Sequence, residues 1–126
     1  MTEKNMEPKG QKTGVPAEDG FYMPGEFEPH HGCILIWPER PGSWIYGARA
    51  AREAFRNVIA AIAASEKVYV AAGAAGMESA TQMLKGTGEA WQKNVELFPA
   101  ETDDAWARDV APTFVIKKKT EKAHEI

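Results

Sequence analysis

Cys33-Ile34-Leu35-Ile36-Trp37 is a continuous apolar run closed by Pro38. A short, partly β-branched run without alternation fits a strand buried on both faces. Downstream the period changes. Ala51, Ala54, Phe55, Val58, Ile59 and Ile62 recur at steps of three and four, while Arg49, Arg52, Glu53 and Arg56 take the other side. That spacing predicts an amphipathic helix over Ala48 to Ala64, about 17 residues and roughly 25 Å long. Its alanine-rich face permits close approach to a sheet. Val68 to Ala72 is the next strand, ended by Gly73. A weaker helix is expected over Gly76 to Leu84, stopped by Gly86 and Gly88, then a short strand over Val95 to Phe98 stopped by Pro99. Thr113 to Ile116 reads as a further strand. Strand–helix–strand–helix–strand is the alternation of an α/β protein with crossover connections.

Composition bounds the function. The chain has 126 residues, 44% of them hydrophobic and 26% charged, which is ordinary for a globular domain. A net charge of −3 argues against nucleic-acid binding, which calls for a basic surplus. No apolar run approaches the roughly 20 residues of a membrane span. The single cysteine, Cys33, excludes an internal disulfide framework and suits a reducing cytoplasm. Residues 1–19 read as a flexible leader without a signal-peptide pattern, and Gly20 to Pro29 as a packed irregular segment. Residues 20–116 form the body of the domain. From Lys117 to Ile126, Glu121 and Glu125 dilute the charge of three adjacent lysines, which suggests a solvated tail or hairpin end rather than a phosphate-binding patch.

In such folds, functional residues gather on loops beyond the strand ends. One such loop carries Asp103-Asp104-Ala105-Trp106-Ala107-Arg108-Asp109, with three carboxylates, a guanidinium and an indole in seven residues. A carboxylate can accept two parallel N–H bonds from a guanidinium, and a tryptophan face attracts a cation. The segment is therefore suited to holding a flat organic cation. Simpler roles fit the same residues. Asp103 or Asp104 could form a turn or cap a helix. Arg108 could pair with an acidic neighbour, and Trp106 could anchor the loop in the core.

Four pieces in this order resemble the agmatine deiminase family, related to bacterial-type peptidylarginine deiminases. They are Gly20-Phe21-Tyr22-Met23-Pro24-Gly25-Glu26-Phe27-Glu28-Pro29-His30; Trp37-Pro38-Glu39-Arg40-Pro41; the helix with Ala54-Phe55; and Asp103 to Asp109 followed by Pro112-Thr113-Phe114. The resemblance covers about residues 19 to 116. It implies the first blade and the start of the second in a five-bladed α/β propeller of the pentein type. It further implies hydrolysis of agmatine to N-carbamoylputrescine and ammonia, as a step toward putrescine, without metal or organic cofactor and commonly in homo-oligomers.

By the same resemblance, Trp106 and Asp109 match the substrate-site motif Trp-x-Arg-Asp. Asp109 would accept guanidinium N–H bonds, and Trp106 would wall the pocket. Asp104 and Arg108 would support them, with Trp37 and Glu39 as weaker candidates for lining the same channel. Glu26 and Glu28 look structural. A guanidinium carbon is a poor electrophile, so the family attacks it with a cysteine thiolate while a histidine moves protons. The family's cysteine and histidine lie in regions that these 126 residues do not include. The chain is therefore expected to be the inactive N-terminal part of such an enzyme. Two alternatives are a non-catalytic fragment that binds cations or associates with full-length subunits, and a peptidylarginine deiminase relative, which an export signal would usually accompany.

Cys33 is not expected to replace the missing nucleophile. Within an apolar run it reads as a small buried hydrophobe. His30-His31-x-Cys33 makes a poor metal motif by itself, because zinc sites assemble three or four protein ligands.

Overall fold

The computed structural model describes residues 14–40, 42–44 and 47–118. In chain order its elements are a 3-10 turn at Pro16–Asp19, β1 (Phe21–Tyr22), β2 (Gly32–Ile36), α1 (Ala48–Ala63), β3 (Lys67–Ala72), α2 (Met77–Lys85), a 3-10 turn at Ala90–Asn94, β4 (Val95–Pro99), α3 (Ala107–Val110) and β5 (Ile116–Lys117). They group into two compact units. The expected leader over residues 1–13 and the tail over 119–126 lie outside the described residues, as does Pro41.

The larger unit, residues 29–112, contains a three-stranded parallel sheet in the order β2-β3-β4. The register pairs Leu35 with Val70 and Val70 with Leu97. Because side chains alternate across a strand, Val68, Val70 and Ala72 share one face, and all three are buried. They form a core with Trp37, Ile59, Ala63, Ala80, Leu84 and Val95. Helix α1 connects β2 to β3 and α2 connects β3 to β4, which is the crossover pattern that the alternation predicts.

Two expectations about this unit change. Spacing puts Val58 on the apolar face of α1, yet it is 50% exposed, and Ala54 is exposed too. The helix packs on β3 and the Ala90–Asn94 turn, two narrow elements that cover only the stripe of Phe55, Ile59, Ile62 and Ala63. Strand β2 is also less enclosed than an unbroken apolar run suggests, since only Ile36 within it is fully buried. Trp37, just beyond, is 1% exposed, and its indole N–H donates to Ser79 Oγ at 2.9 Å.

The helix ends are tied to neighbouring elements. Asn94 Nδ2 donates to the Ala63 carbonyl at the end of α1. Past α2, the buried Gln92 holds the loop at Thr87 and Gly88. Its Oε1 accepts from both backbone amides, and its Nε2 donates to Thr87 Oγ1. Gly88 has φ of +72°, a left-handed conformation that favours glycine.

The smaller unit, residues 14–28 with 113–118, joins β1 and β5 in an antiparallel pair, Phe21 opposite Lys117 and Tyr22 opposite Ile116. Thr113 to Val115, which read as strand in the sequence, are irregular, and the strand is confined to Ile116–Lys117. Conversely, Phe21–Tyr22 form a strand inside a stretch expected to be irregular, and Pro16–Asp19 form a helical turn within the expected leader. Two-residue strands exist only through their partner, so no local periodicity announces them.

Candidate functional site

The C-terminal ends of the three parallel strands place three loops side by side. Trp37 to Arg40 follow β2, Gly73 to Gly76 follow β3, and Ala100 to Asp104 follow β4. Crevices beyond the carboxyl ends of parallel strands are the usual ligand sites of open α/β sheets. Here they enclose an open cleft of about 420 Å³ lined by Glu39, Arg40, Ala75, Glu101, Thr102 and Asp103. That volume lies within the range of small-molecule sites. A narrow recess of about 10 Å³ adjoins it, bounded also by Trp37, Ser43, Trp44, Asp104 and Ala105. It has room for no more than a water.

Three carboxylates and one guanidinium set the electrostatics of the cleft, and two of the carboxylates are already committed. Glu39 Oε1 accepts from the Gly73 amide at 2.6 Å, and Glu101 Oε1 accepts from the Ala74 amide at 2.7 Å. Both amides belong to the turn that leads into α2, just before its N-cap Gly76, where the helix dipole favours negative charge. Small residues make this possible. A Cβ on Gly76 would sit 2.1 Å from Glu39 Oε1, and one on Gly73 would sit 2.6 Å from Glu101 Oε2. Arg40 Nη1 reaches the Asp103 carbonyl at 3.4 Å.

The acidic-aromatic segment divides between two places. Asp103 and Asp104 line the cleft and its recess, whereas Trp106, Arg108 and Asp109 line neither. Asp104 Oδ1 accepts from the Ala105 amide at 2.8 Å, so the turn-forming role fits it. No side chain caps α3, whose N-cap residue is Trp106 itself. Trp106 is 67% exposed, which removes the reading of it as a core anchor. Asp109 lies in the first turn of α3, exposed, with its amide donating to the Trp106 carbonyl at 3.0 Å. Trp106 itself has non-helical backbone, φ −80° and ψ 77°, and precedes the single turn that carries Asp109.

Trp37 and Glu39, the weaker candidates from sequence, both border the recess. Sequence reasoning misses Arg40, Glu101 and Thr102. Glu101 and Thr102 lie just after Pro99, where β4 ends, so the strand-end rule alone is enough to mark them.

Cys33 sits at the opposite, N-terminal end of β2. It is half-buried rather than buried, and its thiol donates to Glu66 Oε1 at 3.0 Å. Burial first, then the bond to Glu66 and its negative charge, push the thiol up to about 11. That is the reverse of an activated nucleophile.

Comparison with known proteins adds what the geometry lacks. Residues 22–125 match the family model of Porphyromonas-type peptidyl-arginine deiminase. A Selenomonas ruminantium protein provisionally named an agmatine deiminase is 44% identical over 105 residues, covering 83% of this chain and 28% of its own length. A Listeria monocytogenes protein, provisionally named agmatine deiminase 2, is 39% identical over 110 residues, covering 87% and 28% respectively. The solved agmatine deiminase of Enterococcus faecalis superposes with a TM-score of 0.74 at 35% identity, over 85% of this chain and 28% of that one. The chain thus spans little more than a quarter of the length of these relatives. It shares their α/β fold over that part. Among the described residues, no helix is long and apolar enough to cross a membrane.

Proposed function

The chain belongs to the Porphyromonas-type peptidyl-arginine deiminase family, together with the agmatine deiminases it resembles, and on that premise we propose that it is the N-terminal part of an agmatine deiminase. The reaction of the whole enzyme would be hydrolysis of agmatine to N-carbamoylputrescine and ammonia, in the cytoplasm and on the way to putrescine. These 126 residues would form the first blade and the start of the second in a five-bladed propeller.

The observation that carries this reading, beside the family itself, is the pairing of Trp106 with Asp109. Both side chains are exposed, and the backbone ties the two residues together through the bond from the Asp109 amide to the Trp106 carbonyl. A guanidinium donating two N–H bonds to Asp109 could lay its plane near the indole, satisfying the carboxylate and the cation together. Arg108 and Asp104 then support the turn. Asp104 supplies the bond to the Ala105 amide immediately before Trp106.

Such a site binds and orients the substrate but does not break its bond. The chain's single thiol is protonated and paired with Glu66, and it lies at the far end of β2 from the loops. The 126-residue chain would accordingly form no N-carbamoylputrescine from agmatine. The thiolate and the proton-carrying histidine would be supplied by other parts of a complete enzyme.

The test is a chimera in which the aligned residues of this chain replace those of the Enterococcus faecalis enzyme. Turnover of agmatine is expected, with Asp109→Asn lowering kcat/KM by about 10- to 100-fold, the worth of a hydrogen bond to a charged group. A folded chimera indifferent to Asp109→Asn would exclude the residue from the site. The family model's own description favours peptidyl-arginine as a second substrate class. Turnover of a peptide-embedded arginine in preference to agmatine would establish that alternative.

A further inference from the structure

At the end of the sheet remote from the cleft, three side chains of different chemistry converge. His30 precedes β2, Cys33 is the second residue of β2, and Glu66 immediately precedes β3. One donor atom from each lies within 4.8 Å of the other two. His30 Nδ1 is 2.9 Å from Glu66 Oε2, and Cys33 Sγ is 3.0 Å from Glu66 Oε1. The strands fix this meeting. Gly32 pairs with Lys67 and Cys33 with Val68, so parallel register brings Glu66 alongside the start of β2 from 33 residues away.

We propose that His30, Cys33 and Glu66 form a binding site for a zinc-type divalent cation. The donor set is one imidazole nitrogen, one sulfur and one carboxylate oxygen. That combination suits a borderline metal and excludes magnesium and calcium, which take oxygen ligands. With zinc bonds of about 2.0 to 2.3 Å, tetrahedral ligands stand roughly 3.5 Å apart. The two contacts to Glu66, at 2.9 and 3.0 Å, are shorter than that, and all three donor atoms lie within 4.8 Å of one another, so the carboxylate would retreat by about half an ångström to admit an ion.

Charge and access agree with this. Cys33 gives up its thiol proton to solvent as the sulfur–metal bond forms, and His30 binds as neutral imidazole. One thiolate and one carboxylate then neutralise the dication. The His30 side chain is 52% exposed and Glu66 22%, which leaves water able to fill a fourth position. The site is independent of the proposed deiminase chemistry, which uses the other end of the strands. It would instead clamp the starts of β2 and β3 together, since His30 and Cys33 come from one and Glu66 from the other.

The experiment is titration of the reduced 126-residue chain with Co²⁺, followed by competition with Zn²⁺. Expected are thiolate-to-cobalt charge-transfer absorption and the intense d–d bands of a tetrahedral ion, saturating at one equivalent and displaced by Zn²⁺. Cys33→Ser should abolish the charge-transfer band. Glu66→Gln and His30→Ala should each weaken binding at least tenfold, while circular dichroism of the metal-free variants reports that they are folded. Absence of the bands overturns the proposal, as does their persistence in Cys33→Ser. Unchanged affinity in both Glu66→Gln and His30→Ala reduces the site to a lone thiol and overturns it too.

Discussion

Glu39 and Gly73, 34 residues apart, meet at 2.6 Å, the carboxylate at the end of the β2 loop accepting the backbone amide that opens the turn into α2. The bond joins the exits of two adjacent parallel strands and satisfies a backbone N–H of the turn that precedes the helix. A hydrogen bond to a charged group contributes about 1.5–3 kcal/mol when largely withdrawn from water, and Glu39 is half-buried. Glu39→Ala is expected to lower stability by about 1–2 kcal/mol. Glu39→Gln keeps an acceptor oxygen and should cost less. Urea unfolding midpoints check both, and an unchanged midpoint for Glu39→Ala would remove this contact from the fold's supports.

Gly76 is coupled to the same carboxylate. Its φ of −104° is accessible to any residue, so conformation does not require glycine there. Space does, because a Cβ would lie 2.1 Å from Glu39 Oε1. Gly76→Ala should therefore displace Glu39 and forfeit its bond to Gly73. In a Glu39→Ala background the obstruction is gone, and the extra methyl should cost only what alanine loses to glycine as an N-cap. The two substitutions are expected to be non-additive by about 1 kcal/mol. Strict additivity in the double-mutant cycle would mean that the methyl meets something other than Glu39.

Acid should weaken a different link. Glu89 is held below its ordinary carboxyl value, first by the hydrogen bond from Thr87 Oγ1 and then by the Arg56 guanidinium, with which it is paired. A depressed folded value means that the unfolded chain takes up the proton first. The contribution is therefore present above the ordinary glutamate range and is lost as pH falls through the lower folded value. The parent chain should exceed Glu89→Gln in its urea midpoint at about pH 7, and the two should converge under acid conditions. A gap that stays constant with pH would assign the effect to packing rather than charge. Added salt should narrow it at neutral pH, since the group is exposed.

How far the sequence carried the fold depends on whether a residue's role was local. Cys33 to Trp37 and Val68 to Ala72 declare strands by themselves, and the three-and-four spacing of Phe55, Ile59 and Ile62 declares a helix. All three elements begin and end within a residue or two of where these patterns put them. Phe21 and Tyr22 carry no such signal, because their strand depends on Ile116 and Lys117, far away in the chain. Val58 has the right spacing for the core but lies beyond what two narrow partners can cover. The site follows the same logic. Asp103 and Asp104 are visible as a run of charge, and Glu39 is visible only as part of a motif. That Glu39 serves Gly73, or that Glu66 joins His30 and Cys33, is decided by strand register, which spacing along the chain does not encode.

Gly32 offers a sharper contrast with Gly76. A Cβ on Gly32 would stand 2.5 Å from the Lys67 carbonyl oxygen and 3.1 Å from the Tyr69 ring. The first of these neighbours is backbone, held in the β2–β3 ladder, so no rotamer change can relieve the contact as movement of Glu39 can at Gly76. Gly32→Ala must push the start of β2 away from β3, stretching the pairing of Gly32 with Lys67 and of Cys33 with Val68. It is expected to cost about 1–3 kcal/mol, the range for forcing an extra methyl into a packed position. No single side-chain truncation should rescue it, Tyr69→Ala included. Hydrogen exchange should locate the loss at the amides of residues 33–35 and 68–70 and leave α2 protected. Rescue by Tyr69→Ala would show that the ring, and not the Lys67 carbonyl, is what reserves this position for glycine.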